Sequence, residues 1–339
     1  MRKSLLSRIP TALLLLAVAL LLSSCGWSLW DSPMTTVRPK SGFGRITHEI
    51  FMLISWWTLG IGIVVEGVLL WVCFHFREKP GQPIPKQVHG HTVLELSWTI
   101  AFAVVLLIFA IPTIPVIFAT QAEAPATSLR IDVSGRQWWW EFKYPDLKVV
   151  TANELHLPAG QTVSFNLHAP DVIHSFWMPQ LGGKRDVVPG RVNRITLTPD
   201  EPGEFPGQCA EYCGISHANM RFRIVVHSKP DFEKWAAAQR SPAVQPTDPL
   251  AQKGQEIFSQ STCVGCHTIT GVSGGVHGPN LTHFGSRKSM GANLMANTAE
   301  NVTRWIENPG HIKPGVLMPD LGVRGEQSKA LAAYLLSLK

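Results

Sequence analysis

Within twelve residues the chain reads Cys209-Ala-Glu211-Tyr-Cys213-Gly-Ile-Ser-His217-Ala-Asn-Met220, and a second histidine, His174, lies upstream in Asp171-Val-Ile-His174-Ser-Phe-Trp-Met-Pro. Two thiols, two imidazoles, a thioether and a carboxylate form a donor set for a soft, redox-active metal. Sulfur ligands favour copper, whereas a hard cation takes oxygen alone. One cysteine with two histidines and a methionine would suggest a mononuclear blue-copper site, but a second thiolate allows two copper ions to be bridged. The same donors could serve a disulfide or a structural zinc site. Zinc would leave Met220 unused and usually takes its ligands as two close pairs.

A second chemical signal lies downstream, in Cys263-Val-Gly-Cys266-His267. Cys-x-x-Cys-His is the attachment motif of c-type haem, with two thioether bonds to the porphyrin and an imidazole on the iron. A thioredoxin-like Cys-x-x-Cys would need a βαβ context that is absent here.

Both motifs resemble those of a known family. The Cys209–Met220 loop with His174 matches, residue by residue, the copper A centre of cytochrome c oxidase subunit II. The resemblance implies Cys209 and Cys213 as bridges, His174 and His217 as terminal ligands and Met220 as a weak ligand. It implies that Glu211 gives its backbone carbonyl to copper and its carboxylate to a magnesium ion shared with subunit I. The C-terminal segment resembles a monohaem cytochrome c domain, in which terminal helices cross at a glycine against an aromatic. Gly254 and Phe258 on a first helix, with Leu331 and Tyr334 on a last one, fit that crossing. Methionine is the usual high-potential sixth ligand, and Met318 in Leu-Met318-Pro-Asp-Leu is the candidate, with Met290 and Met295 as competitors. The whole chain resembles the fused, caa-type variant of the oxidase subunit.

These motifs need elements to hold them. The 339 residues allow two or three domains. Residues 1–24 carry Arg2, Lys3 and Arg8, an apolar run Ala12–Leu22 and then Ser-Ser-Cys25, which looks like an export signal. It resembles a lipoprotein signal with a lipidated Cys25 as first mature residue; an uncleaved anchor is the alternative. Residues 25–128 then hold two apolar spans, about 50–76 with one acid, Glu66, and 96–119 with no charge. Each exceeds the ~20 residues that cross a bilayer core. Flanking basic residues balance (Arg38, Lys40 and Arg45 against Arg77, Lys79 and Lys86), so charge leaves the orientation open. Haem attachment and copper assembly belong on the exported side, which puts the 77–93 loop in the cytoplasm of a bacterial cell (inner) membrane.

Residues 129–228 read as strands with Gly/Pro boundaries, including Leu129–Val133, Gln137–Phe142, Thr162–Leu167, Arg191–Leu197 and Met220–Val226. The pattern predicts a β-sandwich or Greek-key barrel, and the resemblance implies a cupredoxin-like fold. Residues 229–248 read as a linker, rich in Ala, Gln and Pro over Ala236–Thr247 and semi-flexible by that composition. Asp248-Pro249 then reads as an N-cap and first helical position opening an all-α haem domain, 249–339.

The resemblance also implies roles for single residues. Glu95 sits at the position of a glutamate at a proton-channel mouth, although an acid near a membrane end is equally a solvated anchor. Glu66 is a mid-membrane carboxylate, a functional hypothesis by default, or a protonated group bonded to subunit I. Trp138, in Trp138-Trp139-Trp140, occupies the position where electrons come in beside copper A; on a strand it shares a face with Trp140, and an exposed indole offers a haem edge a tight contact. Lys184 and Asp186 match a motif facing subunit I.

Together these readings predict the electron-input subunit of a terminal oxidase, passing electrons from haem c to dinuclear copper A and on to subunit I, where oxygen is reduced with proton translocation. Neither span carries the paired histidines of a membrane haem site. The alternative is the equivalent subunit of a haem-copper nitric oxide reductase. Expected partners are subunits I and III, a cytochrome c or cytochrome bc donor and membrane lipid, with no nucleic acid. Residues 129–248 carry 13 basic and 13 acidic residues, and residues 249–339 carry 8 and 5. The copper domain is thus neutral, and a tethered cytochrome makes long-range steering less necessary.

Overall fold

The computed structural model describes residues 32–339. The expected export signal over residues 1–24 and Cys25 lie outside the described residues. The chain divides into two compact units, Arg45–Ala122 and the remainder.

The first unit is a helical hairpin built from α1 (Gly42–His75) and α2 (Thr92–Gln121), with mean hydropathies of 2.0 and 2.8. Their apolar side chains are largely exposed, as helices destined for lipid require, because only backbone paired within the segment tolerates hydrocarbon. Trp57 meets Phe109 edge-on at 6.3 Å. His91 caps α2: its Nδ1 accepts from Leu94 N at 3.2 Å, and Glu95 Oε1 accepts from His91 N at 3.1 Å. Glu66 faces outward from the hairpin.

The second unit holds the two metal-motif domains. Ten strands form a sandwich: β1 (Leu129–Arg136), β2 (Trp139–Tyr144), β3 (Val149–Ala152), β4 (Glu154–Pro158), β5 (Val163–His168), β6 (His174–Trp177), β7 (Arg185–Val187), β8 (Asn193–Leu197), β9 (Gly203–Cys209) and β10 (Arg221–His227). One sheet runs β3-β2-β1-β5-β8 and the other β4-β10-β9-β6-β7. The pairs β1–β5 and β4–β10 are parallel, the rest antiparallel. β1, β5 and β10 alternate buried residues with less buried ones, the period-two pattern of a half-buried strand. Between the sheets Trp140, Phe176 and Phe222 form the aromatic centre, with Phe176 stacked on Phe222 at 4.8 Å. The chain changes sheets at Asn153, whose φ of 61° is left-handed. Asparagine tolerates this region better than most residues, and its Oδ1 accepts from Trp140 N at 2.9 Å.

The linker expectation needs correction over most of its length. Residues Lys229–Arg240 form a helix, α3, capped by Ser228 and carrying Pro230 in its first turn. Phe232 and Ala236 are buried, and Trp235 stacks on His156 at 4.2 Å. Ala and Gln, read as linker composition, are also strong helix formers. The aromatic contact with the sandwich decides between the two.

The haem domain opens on α4 (Pro249–Gln260), capped by Asp248 Oδ2 from Ala251 N at 2.9 Å. It continues through α5 (Cys263–Cys266), α6 (Ala299–Glu307), α7 (Pro309–Ile312) and α8 (Glu326–Ser337). α4 and α8 cross at Gly254, where an added Cβ would lie 1.9 Å from the Ala330 carbonyl oxygen, and Phe258 packs on Tyr334 at 5.8 Å. Gly254→Ala therefore has to push two helix backbones apart. The expected loss is ~2–3 kcal/mol of haem-domain stability, checked by thermal unfolding of the full chain.

Candidate metal centres

The register of the second sheet assembles the copper-type site. β6 pairs with β9 so that Phe176 lies opposite Cys209, which places His174, at the head of β6, beside the end of β9. From Cys209 the chain turns through a loop and a short 3-10 turn at His217–Asn219 before entering β10. The loop closes where Cys209 N donates to Met220 O at 2.9 Å. Pro206 and Gly207 thus belong to β9, and Gly214, at φ 115°, makes the turn.

The sulfurs of Cys209 and Cys213 are 3.8 Å apart, far beyond the ~2.05 Å of a disulfide. Two sulfurs at ~2.3 Å from one metal at a tetrahedral angle stand about 3.8 Å apart, so the spacing fits thiolates that share metal. His174 Nδ1 lies 3.9 Å from Cys209 Sγ, and His217 Nδ1 lies 3.6 Å from Cys213 Sγ. One imidazole therefore flanks each sulfur, as two metals bridged by the pair require. Met220 Sδ stands 3.8 Å from Cys213 Sγ, an adjacency a zinc site would not use. His174, Cys209, Cys213 and Met220 are buried. The Glu211 carbonyl oxygen lies 3.3 Å from Cys209 Sγ, while its side chain is exposed. The donors fit a dinuclear copper centre.

Electrostatics point the same way. The Cys213 thiol beside it holds Cys209 well below the usual thiol range, against the effect of burial. Cys209 in turn, together with burial, holds Cys213 up. Two adjacent thiolates repel, so a cation is needed to keep both deprotonated. Burial lowers His174, but its hydrogen bonds to Asp171 and Cys209 outweigh that and raise it. Asp171 Oδ1 holds His174 Nε2 at 2.9 Å, which leaves Nδ1 directed at the sulfurs. This orienting carboxylate was not singled out from the sequence; its position three residues before the histidine was the available signal.

In the haem domain Cys263 and Cys266 occupy α5 and His267 follows as its C-cap. His267 Nδ1 donates to the Pro279 carbonyl at 2.8 Å, leaving Nε2 for iron. Burial lowers the His267 pKa, partly offset by that carbonyl, so the imidazole is in the neutral, ligating form. Gly278 lies against the ring, where a Cβ would come within 2.5 Å of Cε1. Met318 is half-buried and its Sδ accepts from Trp305 Nε1 at 3.2 Å. Met290 is buried in the domain core, and Met295 pairs with it across a two-residue strand pairing. The motif and its neighbours fit a covalently attached haem. Trp305 carried no sequence signal.

Trp138 departs from its expected setting. It lies in the turn before β2 rather than on the strand, and it is 6% exposed. Its Nε1 donates to the Cys213 carbonyl at 3.0 Å, and Gln137 Nε2 reaches the same oxygen at 2.7 Å. Gly315 of the haem domain lies against the benzo edge of the indole, where an added Cβ would stand 2.9 Å from Cη2. Trp140 is the core residue of the triplet, and Trp139 lies under the Arg136 guanidinium at 5.7 Å. Lys184 and Asp186 are exposed near and on β7.

A membrane hairpin, a cupredoxin-like domain carrying a sulfur–imidazole cluster and a helical haem-binding domain define a membrane-anchored electron-transfer protein. Family models described as cytochrome c oxidase subunit II, transmembrane domain, as the periplasmic domain of the same subunit, and as cytochrome c match residues 40–116, 148–229 and 251–339. Cytochrome c oxidase subunit 2 of Alkalihalophilus pseudofirmus is 37% identical over 329 residues, covering 95% of each chain. The subunit 2 of Bacillus subtilis is 34% identical over 96% of this chain and 97% of its own. The chain belongs to the cytochrome c oxidase subunit II family, in the form that carries a fused cytochrome c domain. It is an oxidoreductase component and a membrane protein with an extracellular domain, associated with subunit I.

Proposed function

We propose that this chain is the electron-input subunit of a haem-copper oxidase in a bacterial inner membrane, with both redox domains on the outer side. The carrying observation is the paired cluster, in which two sulfurs 3.8 Å apart each have a histidine nitrogen within 3.9 Å. Cys209, Cys213, His174 and His217, with Met220 and the Glu211 carbonyl, would hold the copper pair. His267 and Met318 would hold the haem iron, and Cys263 and Cys266 would attach the porphyrin. When bound, these groups supply one-electron chemistry between an external cytochrome c or cytochrome bc donor and subunit I, where oxygen reduction drives proton translocation.

The residues divide the remaining tasks. Asp171 orients His174, and the Pro279 carbonyl orients His267. Trp138 bridges the haem domain to the Cys213 backbone, so its role is internal to the chain rather than at an open surface. The Glu211 carboxylate holds magnesium shared with subunit I, and Lys184 and Asp186 face the same subunit. Glu95 sits at a proton-channel mouth while helping to cap α2. Glu66 is protonated and hydrogen-bonded to subunit I, since an outward-facing carboxylate in lipid is costly without a partner. Subunit III and lipid complete the surroundings. The named relatives are oxidase subunits, and no feature of the site favours the nitric oxide reductase alternative.

The decisive measurement is elemental analysis and absorption of the purified full chain in its complex. Two coppers per chain, near-infrared absorption of a mixed-valence pair and haem that survives acid–acetone extraction are expected. One zinc and no copper, after growth with adequate copper, would refute the assignment.

Met318→Ala is expected to open the iron to an external ligand such as cyanide and to shift the haem potential, because the thioether that would bind it is lost. The copper spectrum is expected to stay unchanged. Cyanide titration of the oxidised haem and redox titration of both centres check this.

A further inference from the structure

Two buried ionisable side chains, a lysine and a glutamate, cross between the copper and haem domains, each reaching the backbone of the other. Lys313, just ahead of Met318 in the haem domain, is 2% exposed. Its Nζ donates to the Trp138 carbonyl at 2.5 Å and to the Gly291 carbonyl at 3.2 Å. Beside it Ser216 Oγ donates to the Pro314 carbonyl at 2.6 Å, and a Cβ on Gly315 would stand 2.9 Å from Trp138 Cη2. The reverse contact comes from Glu154, at the head of β4 and also 2% exposed. Its Oε1 accepts from Lys288 N at 2.8 Å, Ser289 N at 2.9 Å and Ser289 Oγ at 3.1 Å. Lys288 Nζ also pairs with Glu204, which Arg223 holds from the other side at 2.6 Å.

A domain that swings on a tether needs contacts that are hydrated both docked and undocked. Burying a charge is costly unless its hydrogen-bond geometry is nearly complete. Glu154 finds all three donors to its Oε1, and Lys313 the Trp138 carbonyl, only across the contact between the two domains. The Trp138 turn, which reaches Cys213 through the indole, is thereby joined to the segment that carries Met318.

We infer that Lys313 and Glu154 are positioning residues that lock the haem domain onto the copper domain in a single register, closing Trp138 to any outside donor. This rests on the reading of haem c as the electron donor to the copper pair. The 241–248 connection then serves as a short strap, and an external donor has to deliver its electron to the haem domain.

The test uses the purified oxidase with the haem reduced by a light pulse and copper followed in the near infrared. In the unaltered protein the transfer rate should not change with glycerol or with salt, because no domain search precedes the electron. A rate that falls in step with viscosity would overturn the lock. Lys313→Met, which leaves the two carbonyls without a donor, should slow transfer by about tenfold or more at unchanged haem and copper content. Glu154→Ala should do the same and should speed amide exchange at Lys288 and Ser289. Added soluble cytochrome c should then reduce copper directly in both variants but not in the parent. Parent-like rates and exchange in both variants would refute the positioning role. Absence of haem-to-copper transfer in the parent, with Lys288 and Ser289 amides still protected, would instead refute the proposed electron route and leave the lock standing.

Discussion

Cys209→Ser is expected to abolish the mixed-valence near-infrared band and to lower the copper content, while Met220→Leu is expected to keep both coppers and shift their potential. The contrast follows from what each atom can do. Cys209 Sγ sits 3.8 Å from Cys213 Sγ and 3.9 Å from His174 Nδ1, so it is placed to touch both metals. A serine hydroxyl is harder, stays protonated and cannot bridge as a soft thiolate does. Its loss also leaves Cys213 without the neighbour whose charge calls for a shared cation. Met220 is different. Its thioether is uncharged and stands 3.8 Å from one sulfur, the place of a weak ligand that tunes rather than holds. Leucine has nearly the same volume and keeps the buried position filled. Copper analysis, near-infrared absorption and redox titration of both variants provide the check. Equal loss of copper in both would reverse the ranking of the ligands.

Deleting residues 249–339 is expected to leave an oxidase that keeps copper A but turns over poorly with its native donor. With the haem domain attached, the rate at which electrons reach copper should not depend on protein concentration. After deletion the encounter becomes bimolecular. The copper domain has equal numbers of acidic and basic residues over 129–248, so association falls in the unsteered range of about 10⁵–10⁶ M⁻¹s⁻¹ rather than the steered ~10⁸–10⁹ M⁻¹s⁻¹. The deletion also strips the cover from Trp138 and takes the amide donors away from Glu154. Added soluble cytochrome c should therefore restore part of the turnover in proportion to its concentration, with weak dependence on salt. Oxygen consumption against added cytochrome c, with and without the deletion, measures this. Turnover unchanged with the native donor would show that electrons reach copper without the haem domain.

The chemistry was legible in the sequence because its donors are local. Five of the six copper-site residues fall in one loop, and the haem motif is contiguous, so residue type and spacing alone specify soft-metal and haem binding. Hydropathy gave the two spans, and alternation gave five of the ten strands within a few residues of their observed ends. The capped start of α4 was readable from Asp248-Pro249. The tertiary structure decided whatever depends on residues far apart in sequence. Helix α3 ends in a linker-like Ala/Gln run, and burial of Phe232 and Ala236 with the stacking of Trp235 on His156 turns it into a packed element. Trp138 reads locally as a strand tryptophan, yet the approach of Gly315 makes it a buried contact. Lys313 and Trp138 are 175 positions apart, and Glu154 and Ser289 are 135 apart. A lysine or glutamate carries no local mark of burial, since its cost and its partners exist only once two domains have met. Donor chemistry resides in side-chain types, which the sequence states directly, whereas the placement of one centre against the other depends on long-range packing.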